Sequence, residues 1–255
     1  MDIIYGIHAV AEALKSRARA FDHVAIARER HDSRLQRVID ACRAEGVTVR
    51  FVPRANLDRL AKTSGHQGVM AVMAARQYSE LETLLQTKRG AHCFLVLLDG
   101  VEDPHNLGAI IRTADATGAD GIVIPERRAV GVTATVAKVS AGAVEHLPVA
   151  RVTNLGRALE ELKSRNVWTV GLDERASQLY HEIDYRMDCA LVLGAEGKGL
   201  HEQIRKKCDY LVKIPMMGAA PSLNVSVAAG VVMYEIVRQR RGVPSPPKAS
   251  PAELD

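Results

Sequence analysis

Residues 93–112 read CFLVLLDGVEDPHNLGAIIR, and this stretch decides the fold. Six apolar residues run unbroken from Cys93 to Leu98. A strand that faces water on one side alternates polar and apolar residues; an unbroken run marks one buried on both faces. The loop after it carries acids, a histidine and an asparagine, and apolar residues then return at helical spacing from Leu107. Buried strand, loop and helix is the repeating unit of a parallel α/β sheet.

Working outward, the same alternation recurs. Strands are expected at 121–124, 147–149, 167–171, 189–193 and 210–214, with helices at about 107–117, 133–144, 155–165, 200–206 and 223–240. The fold class is therefore α/β with a mostly parallel sheet. Upstream lies a smaller α/β unit. Its helix at 6–16 presents Ile7, Val10, Ala13 and Leu14 on one face, and its strands fall at 23–27, 47–52 and 68–74. A second helix at 33–44 ends at Gly46, and a short one follows Pro53. The expected organisation is an N-terminal unit over 1–75, a polar connector over 76–91 and a larger α/β unit over 92–241. Residues 242–255, GVPSPPKASPAELD, have little to bury and read as a mobile tail.

Composition narrows the class. Of 255 residues, 47% are hydrophobic and 25% charged, the averages of a globular protein, which excludes a disordered, collagen-like or coiled-coil chain. No apolar run approaches the roughly 20 residues that cross a bilayer, so no membrane partner is expected. The start MDIIYGIHAV lacks a signal-peptide pattern. Cys42, Cys93, Cys189 and Cys208 follow neither metal-ligand nor disulfide spacing; no metal and a reducing, cytoplasmic location are expected. Residues 1–90 hold 15 Lys+Arg against 10 Asp+Glu, whereas the chain as a whole carries only +4. The excess in the first third suits a polyanion, although a solvated basic surface accounts for it equally well.

Three segments carry polar groups that packing alone does not require, and each follows a strand. In Asp99–Arg112, Asn106 reads as the cap of the next helix, with Pro104 shaping the turn. Arg112 needs another reason, because Gly108, Ala109, Ile110, Ile111 and Ala114 surround it in sequence. In Leu193–Leu200, three glycines within six residues allow a sharp turn close to a ligand, with Glu196 the one acid among them. The spacing is neither of the phosphate-loop fingerprints. In Ile214–Ser226, Ser222 or Asn224 reads as the cap of the last helix. The C-terminal ends of buried strands are where open α/β sheets hold ligands.

The three segments, in this order, resemble the signature motifs of the SpoU/TrmH family of RNA 2′-O-ribose methyltransferases: Asn106-Leu-Gly-Ala-Ile-Ile-Arg112, Leu193-Gly-Ala-Glu-Gly-Lys-Gly199 and Ser222-Leu-Asn-Val-Ser-Val-Ala228. YGIHAV (5–10) and HQGV (66–69) extend the likeness over nearly the whole chain, toward the subgroup that methylates a guanosine of 23S rRNA. The resemblance implies a deep C-terminal trefoil knot, a homodimer through the C-terminal unit and S-adenosylmethionine as methyl donor. It implies cofactor contacts from Gly194, Ile214 and Leu223, with Met216 and Gly218 as neighbours. It implies that Asn106, Glu196, Ser222 and Asn224 line the catalytic site around Arg112. The family pattern casts Arg112 as general base; the chemistry of a permanently charged guanidinium suits instead a cation that orients phosphate and steadies an alkoxide. His105 is the weaker candidate base. The alternatives are a tRNA 2′-O-methyltransferase of the same family and a non-catalytic RNA-binding relative. A chain begun near Arg76 is expected to keep the cofactor and lose RNA affinity.

Overall fold

The computed structural model describes residues 1–29 and 32–242. Arg30 and all of the expected tail except Gly242 lie outside the described residues. The chain forms two sheets. The first has strands β1 (Asp2–Tyr5), β2 (Phe21–Ala27), β3 (Val49–Val52) and β4 (Val69–Met73), in the order β1-β4-β2-β3. Helices α1 (Ile7–Ser16) and α2 (Ser33–Ala44) cover one face, and α3 (Arg54–Ala61) covers the other. Strand β1 is absent from the sequence reading, since four residues are too few to show a period.

The HQGV phrase is a structural joint. His66 is fully buried; its Nδ1 accepts the Gly68 N–H at 3.0 Å, and its Nε2 lies 3.0 Å from the Asp58 carboxylate. Gln67 Oε1 accepts the Ile7 N–H at 2.9 Å, satisfying a donor at the open start of α1. The two phrases YGIHAV and HQGV thus hold each other in place.

The second sheet has seven strands: β5 (Phe94–Asp99), β6 (Gly121–Pro125), β7 (Val149–Val152), β8 (Trp168–Leu172), β9 (Gln178–Leu179), β10 (Cys189–Gly194) and β11 (Tyr210–Lys213). Their order is β7-β6-β5-β10-β8-β11-β9, and every pairing is parallel. Strand β5 is buried on both faces. Phe94, Val96 and Leu98 pack with helices α5 (Pro104–Ala116) and α9 (Val225–Arg240). Leu95 and Leu97 face α4 (Leu81–Gln86), α7 (Leu155–Ser164) and α8 (Glu202–Arg205).

Two helices have a boundary three or more residues from the reading. The helix expected at 133–144 is α6 (Ala134–Val139), because Ala141 and Gly142 turn left-handed, at φ +52° and +87°. A 3₁₀ turn, Ala143–Glu145, follows. Helix α5 starts three residues before Leu107. Its cap is Asp103, whose carboxylate accepts the His105 N–H at 2.8 Å, and Pro104 takes the first turn. Proline is preorganised for that position and Asp caps as well as Asn. Asn106 is therefore not a cap, and its side chain is free for other work.

The first sheet is joined to the rest of the chain by a common core. One apolar cluster runs from Ile4 and Val10 through Val136 and Val144 to Phe94. The Tyr5 hydroxyl lies 3.2 Å from Thr135 Oγ1, and Lys138 Nζ donates to the Gly65 carbonyl at 2.7 Å. Buried Glu145 lies 2.8 Å from Arg76 and 3.5 Å from Arg19, ion pairs at close range whose buried atoms are not aligned as hydrogen bonds. Segment 76–91 is also packed: Ser79 bridges to Ala150, and α4 buries Leu81 and Leu84. A cut at Arg76 would return apolar side chains to water at about 1.5–3 kcal/mol each. Charge substitutions therefore test the first 75 residues more cleanly than truncation does.

Candidate active site

Strand β10 lies between β5 and β8, where the sheet order reverses, and ends with Gly194 beside Asp99. The loop after it folds back on itself: the Ala195 and Gly199 backbones exchange N–H···O bonds at 3.1 and 2.9 Å. That fold needs its glycines. A Cβ on Gly194 would stand 2.0 Å from the Gly199 carbonyl carbon, and Gly197 and Gly199 take φ of +75° and +65°.

Beside this loop opens a cavity of about 250 Å³. Of the residues named from the sequence, Gly194, Glu196, Ile214, Met216, Ser222 and Leu223 line it. Gly218 does not; it is exposed, with no atom within 4 Å of the Cβ it lacks. The sequence reading overlooked Asp173–Arg175 and Lys213, which also line the cavity. Asp173 and Arg175 follow β8, so the available signal was their place just past another parallel strand. The Arg175 guanidinium grips Asp173 at 2.8 and 3.0 Å and holds its carboxyl below the usual carboxylate range.

Asn106, Glu196 and Asn224, one from each motif, form a single network. Asn224 Oδ1 caps α9, accepting from the Ser226 N–H at 2.9 Å and its hydroxyl at 2.6 Å. Its Nδ2 therefore points away, donating to Asn106 Oδ1 at 2.9 Å and to Glu196 at 3.4 Å. Asn106 Nδ2 donates to the other Glu196 oxygen at 3.1 Å. These bonds join three chain segments. Ser222 caps nothing; it lines the cavity.

Arg112 lies on the exposed face of α5, less than two turns beyond Asn106. Among the described residues its guanidinium has no hydrogen bond or ion pair. Among the described residues the His105 imidazole has no hydrogen bond; its backbone N–H is taken by the Asp103 cap. The cysteines are unpaired, and burial pushes the thiols of Cys42 and Cys189 to about 11 and those of Cys93 and Cys208 to about 12. None is a thiolate nucleophile near neutral pH. Among the described residues no helix is long and apolar enough to cross a membrane.

The SpoU rRNA Methylase family model matches residues 93–234, and the RNA 2′-O ribose methyltransferase substrate binding model matches 3–79. The chain belongs to the SpoU rRNA methylase family. It is 49% identical over 244 residues to the putative TrmH family tRNA/rRNA methyltransferase YacO of Bacillus subtilis, covering 95% of this chain and 97% of the relative. It is 43% identical over 241 residues to the 23S rRNA (guanosine-2′-O-)-methyltransferase RlmB of Bordetella pertussis, covering 94% and 98%. Among solved structures, it superposes on the AdoMet complex of the SpoU methyltransferase AviRb from Streptomyces viridochromogenes with a TM-score of 0.78, at 26% identity over 94% of this chain and 90% of that one. The AdoMet-bound rRNA methyltransferase from Sinorhizobium meliloti gives a TM-score of 0.74 at 27% identity, over 96% and 88%.

As a SpoU-family RNA 2′-O-methyltransferase, this chain needs room for S-adenosylmethionine, and its cavity suits that molecule. Leu172, Ile214 and Leu223 offer apolar cover for a purine, while the backbone of 193–199 brings polar groups close because its glycines leave space.

Proposed function

We propose that this chain methylates the ribose 2′-hydroxyl of a guanosine in 23S rRNA. The observation that carries the reading is the network of Asn106, Glu196 and Asn224 beside the cavity, with the unpartnered Arg112 on the same helix as Asn106. The choice of guanosine and 23S rRNA is supported by the name of the Bordetella relative. The Bacillus relative is named for tRNA or rRNA, which keeps tRNA as the second reading.

Bound S-adenosylmethionine supplies a methyl group already activated on a sulfonium, so the protein's task is alignment. Gly194, Ile214 and Leu223 hold the adenosyl part, with Met216 alongside. Asn106 and Asn224 fix the Glu196 carboxylate at the site. Arg112 acts as a cation that holds RNA phosphate and stabilises the alkoxide that forms at the 2′-oxygen as its proton passes to water; its lack of any partner among the described residues leaves the guanidinium available. Labelled methyl transfer to 23S rRNA and to tRNA transcripts, side by side, tests the substrate. Transfer to tRNA alone would overturn the rRNA assignment.

The same reading includes a trefoil knot over about 189–226, a cytoplasmic site of action and a homodimer through the C-terminal unit. The dimer is supported by uncovered apolar side chains on one face of α9: Val227 is 52% exposed and Tyr234, two turns on, 56%. Sedimentation at micromolar concentration is expected to give twice the chain mass. Tyr234→Glu with Val227→Glu is expected to give the single-chain mass; a fully active wild-type monomer would contradict the dimer.

The first 75 residues are proposed to supply RNA affinity. Arg28, Arg34, Arg37, Arg50 and Arg54 are all exposed there. Phosphate contacts release counterions, so each one lost lowers the slope of log affinity against log salt by about 0.7–0.9. The triple replacement of Arg34, Arg37 and Arg50 with Ala is expected to lower it by about 2. An unchanged slope in filter binding would return these arginines to the role of solvated surface.

A further inference from the structure

A second cleft, of about 420 Å³, opens beyond the ends of β5 and β6. It shares a wall with the active site. A Cβ on Gly100, in the cleft, would stand 3.4 Å from both Ala195 Cβ, in the glycine loop, and His201 Cε1. The cleft holds a carboxylate–imidazole pair. Asp99, only 6% exposed, accepts the His201 N–H at 2.7 Å and contacts the ring Nδ1 at 3.0 Å. In the neutral ring Nδ1 carries the hydrogen, so Nε2 presents its lone pair. Nothing among the described residues bonds to it.

Arg127 and Arg128 line the same cleft. Both are exposed, and neither has a hydrogen bond or ion pair among the described residues. Arg128 holds a left-handed backbone at φ +58°, which is uncommon for a side-chain-bearing residue. Asp99 is committed to His201. Glu202, the other acid in the lining, lies within 3.8 Å of Arg175 and Lys206 and 3.6 Å of Arg205. The cleft's uncommitted charge is therefore positive.

We infer that this cleft binds the RNA strand next to the target nucleotide, with a backbone phosphate on Arg127 and Arg128 and a ribose 2′-hydroxyl donating to His201 Nε2. This rests on the RNA-methylation reading and extends it. Guanidinium forks match phosphate oxygens. An acceptor nitrogen beside them suits the one donor that RNA has on its backbone and DNA lacks. Asp99 is a positioning residue that fixes the ring orientation. A strand that enters here passes the glycine loop on its way to the cofactor cavity, so the cleft sets which ribose arrives at Arg112.

The test uses the full chain and a 23S rRNA fragment that wild type methylates. For R127A with R128A, RNA Kd at about 0.1 M salt is expected to rise about tenfold, and the salt slope to fall by about 0.7–1.8, one or two phosphates' worth. KM for RNA should rise with it, while kcat changes far less and S-adenosylmethionine affinity stays at the wild-type value. The double variant R127K with R128K should retain most of the slope. H201A should weaken binding of the RNA several-fold but not that of a DNA oligonucleotide of the same sequence. Wild-type RNA affinity and slope in the double alanine variant would overturn the cleft assignment while leaving methylation standing. A wild-type protein that methylates no RNA at all would instead overturn the reading beneath it.

Discussion

Arg112→Ala is expected to lower kcat by at least about 10²–10³-fold, the loss seen when a preorganised donor to a developing oxyanion is removed. S-adenosylmethionine affinity and melting temperature should hardly move. Arg112 does not line the cavity, and it is exposed, with no bond among the described residues for the fold to lose. The companion variant Arg112→Lys separates the two roles open to this side chain. If Arg112 acts as a cation, lysine keeps the charge and restores part of the rate with the wild-type pH dependence. If Arg112 acts as a general base, lysine, whose ordinary pKa of about 10.4 lies well below that of arginine, moves the rising limb of the pH–rate profile to lower pH. Steady-state rates from about pH 6 to 10 read the difference. Wild-type turnover by the alanine variant on saturating RNA would remove Arg112 from the chemistry altogether.

Gly194→Ala is the second large effect. The added Cβ would meet backbone atoms: the Gly199 carbonyl carbon at 2.0 Å, its oxygen at 2.2 Å and the Leu200 nitrogen at 2.3 Å. No side chain can rotate away to make room, so the loop must open. Overpacking of this kind costs about 1–3 kcal/mol or more, which in a chain of this length lowers the melting temperature by several degrees, at about 2–4 °C per kcal/mol. Because the same loop lines the cavity, S-adenosylmethionine affinity should fall about 100-fold or more, well beyond the loss of stability. Gly197→Ala is the control. It has nothing within 4 Å and meets only the left-handed penalty at φ +75°, about 1–2 kcal/mol. Calorimetry on the two variants should separate them clearly. Equal, near-native cofactor affinity in both would detach the loop from cofactor binding.

The contrast between what the sequence discloses and what it conceals follows from range. Local patterns were readable. The run Cys93–Leu98 marked a strand buried on both faces, and β5 has apolar clusters on both sides. Helix α2 matches its expected span of 33–44 because Leu35, Val38 and Cys42 repeat at helical spacing and Gly46 turns left-handed after it. Very short elements were not readable: β1 and the two-residue β9 carry no period. Competition between neighbours also misled the reading. Asp103 and Asn106 are both good caps, three residues apart, and only the structure shows that Asp103 wins and leaves Asn106 to Glu196.

Long-range partnerships lie further out of reach. Nothing in the spacing of residues says that Asn224, 118 positions beyond Asn106, donates to it. Likewise, no local pattern in Leu172–Arg175 announces a cavity wall; its position at the end of β8 does so only once the strand order is known. The three glycines of the loop were legible as a close turn, but the surface they approach was not. It turned out to be the loop's own backbone as well as the cavity.

The most direct test of the account is nucleoside mass analysis of 23S rRNA that lacks the modification, incubated with the purified protein and S-adenosylmethionine. One new 2′-O-methylguanosine, at a single mapped position, is expected with wild type and not with Arg112→Ala. Methylation on a base, or no methylated ribose with wild-type protein that binds both RNA and S-adenosylmethionine, would contradict it.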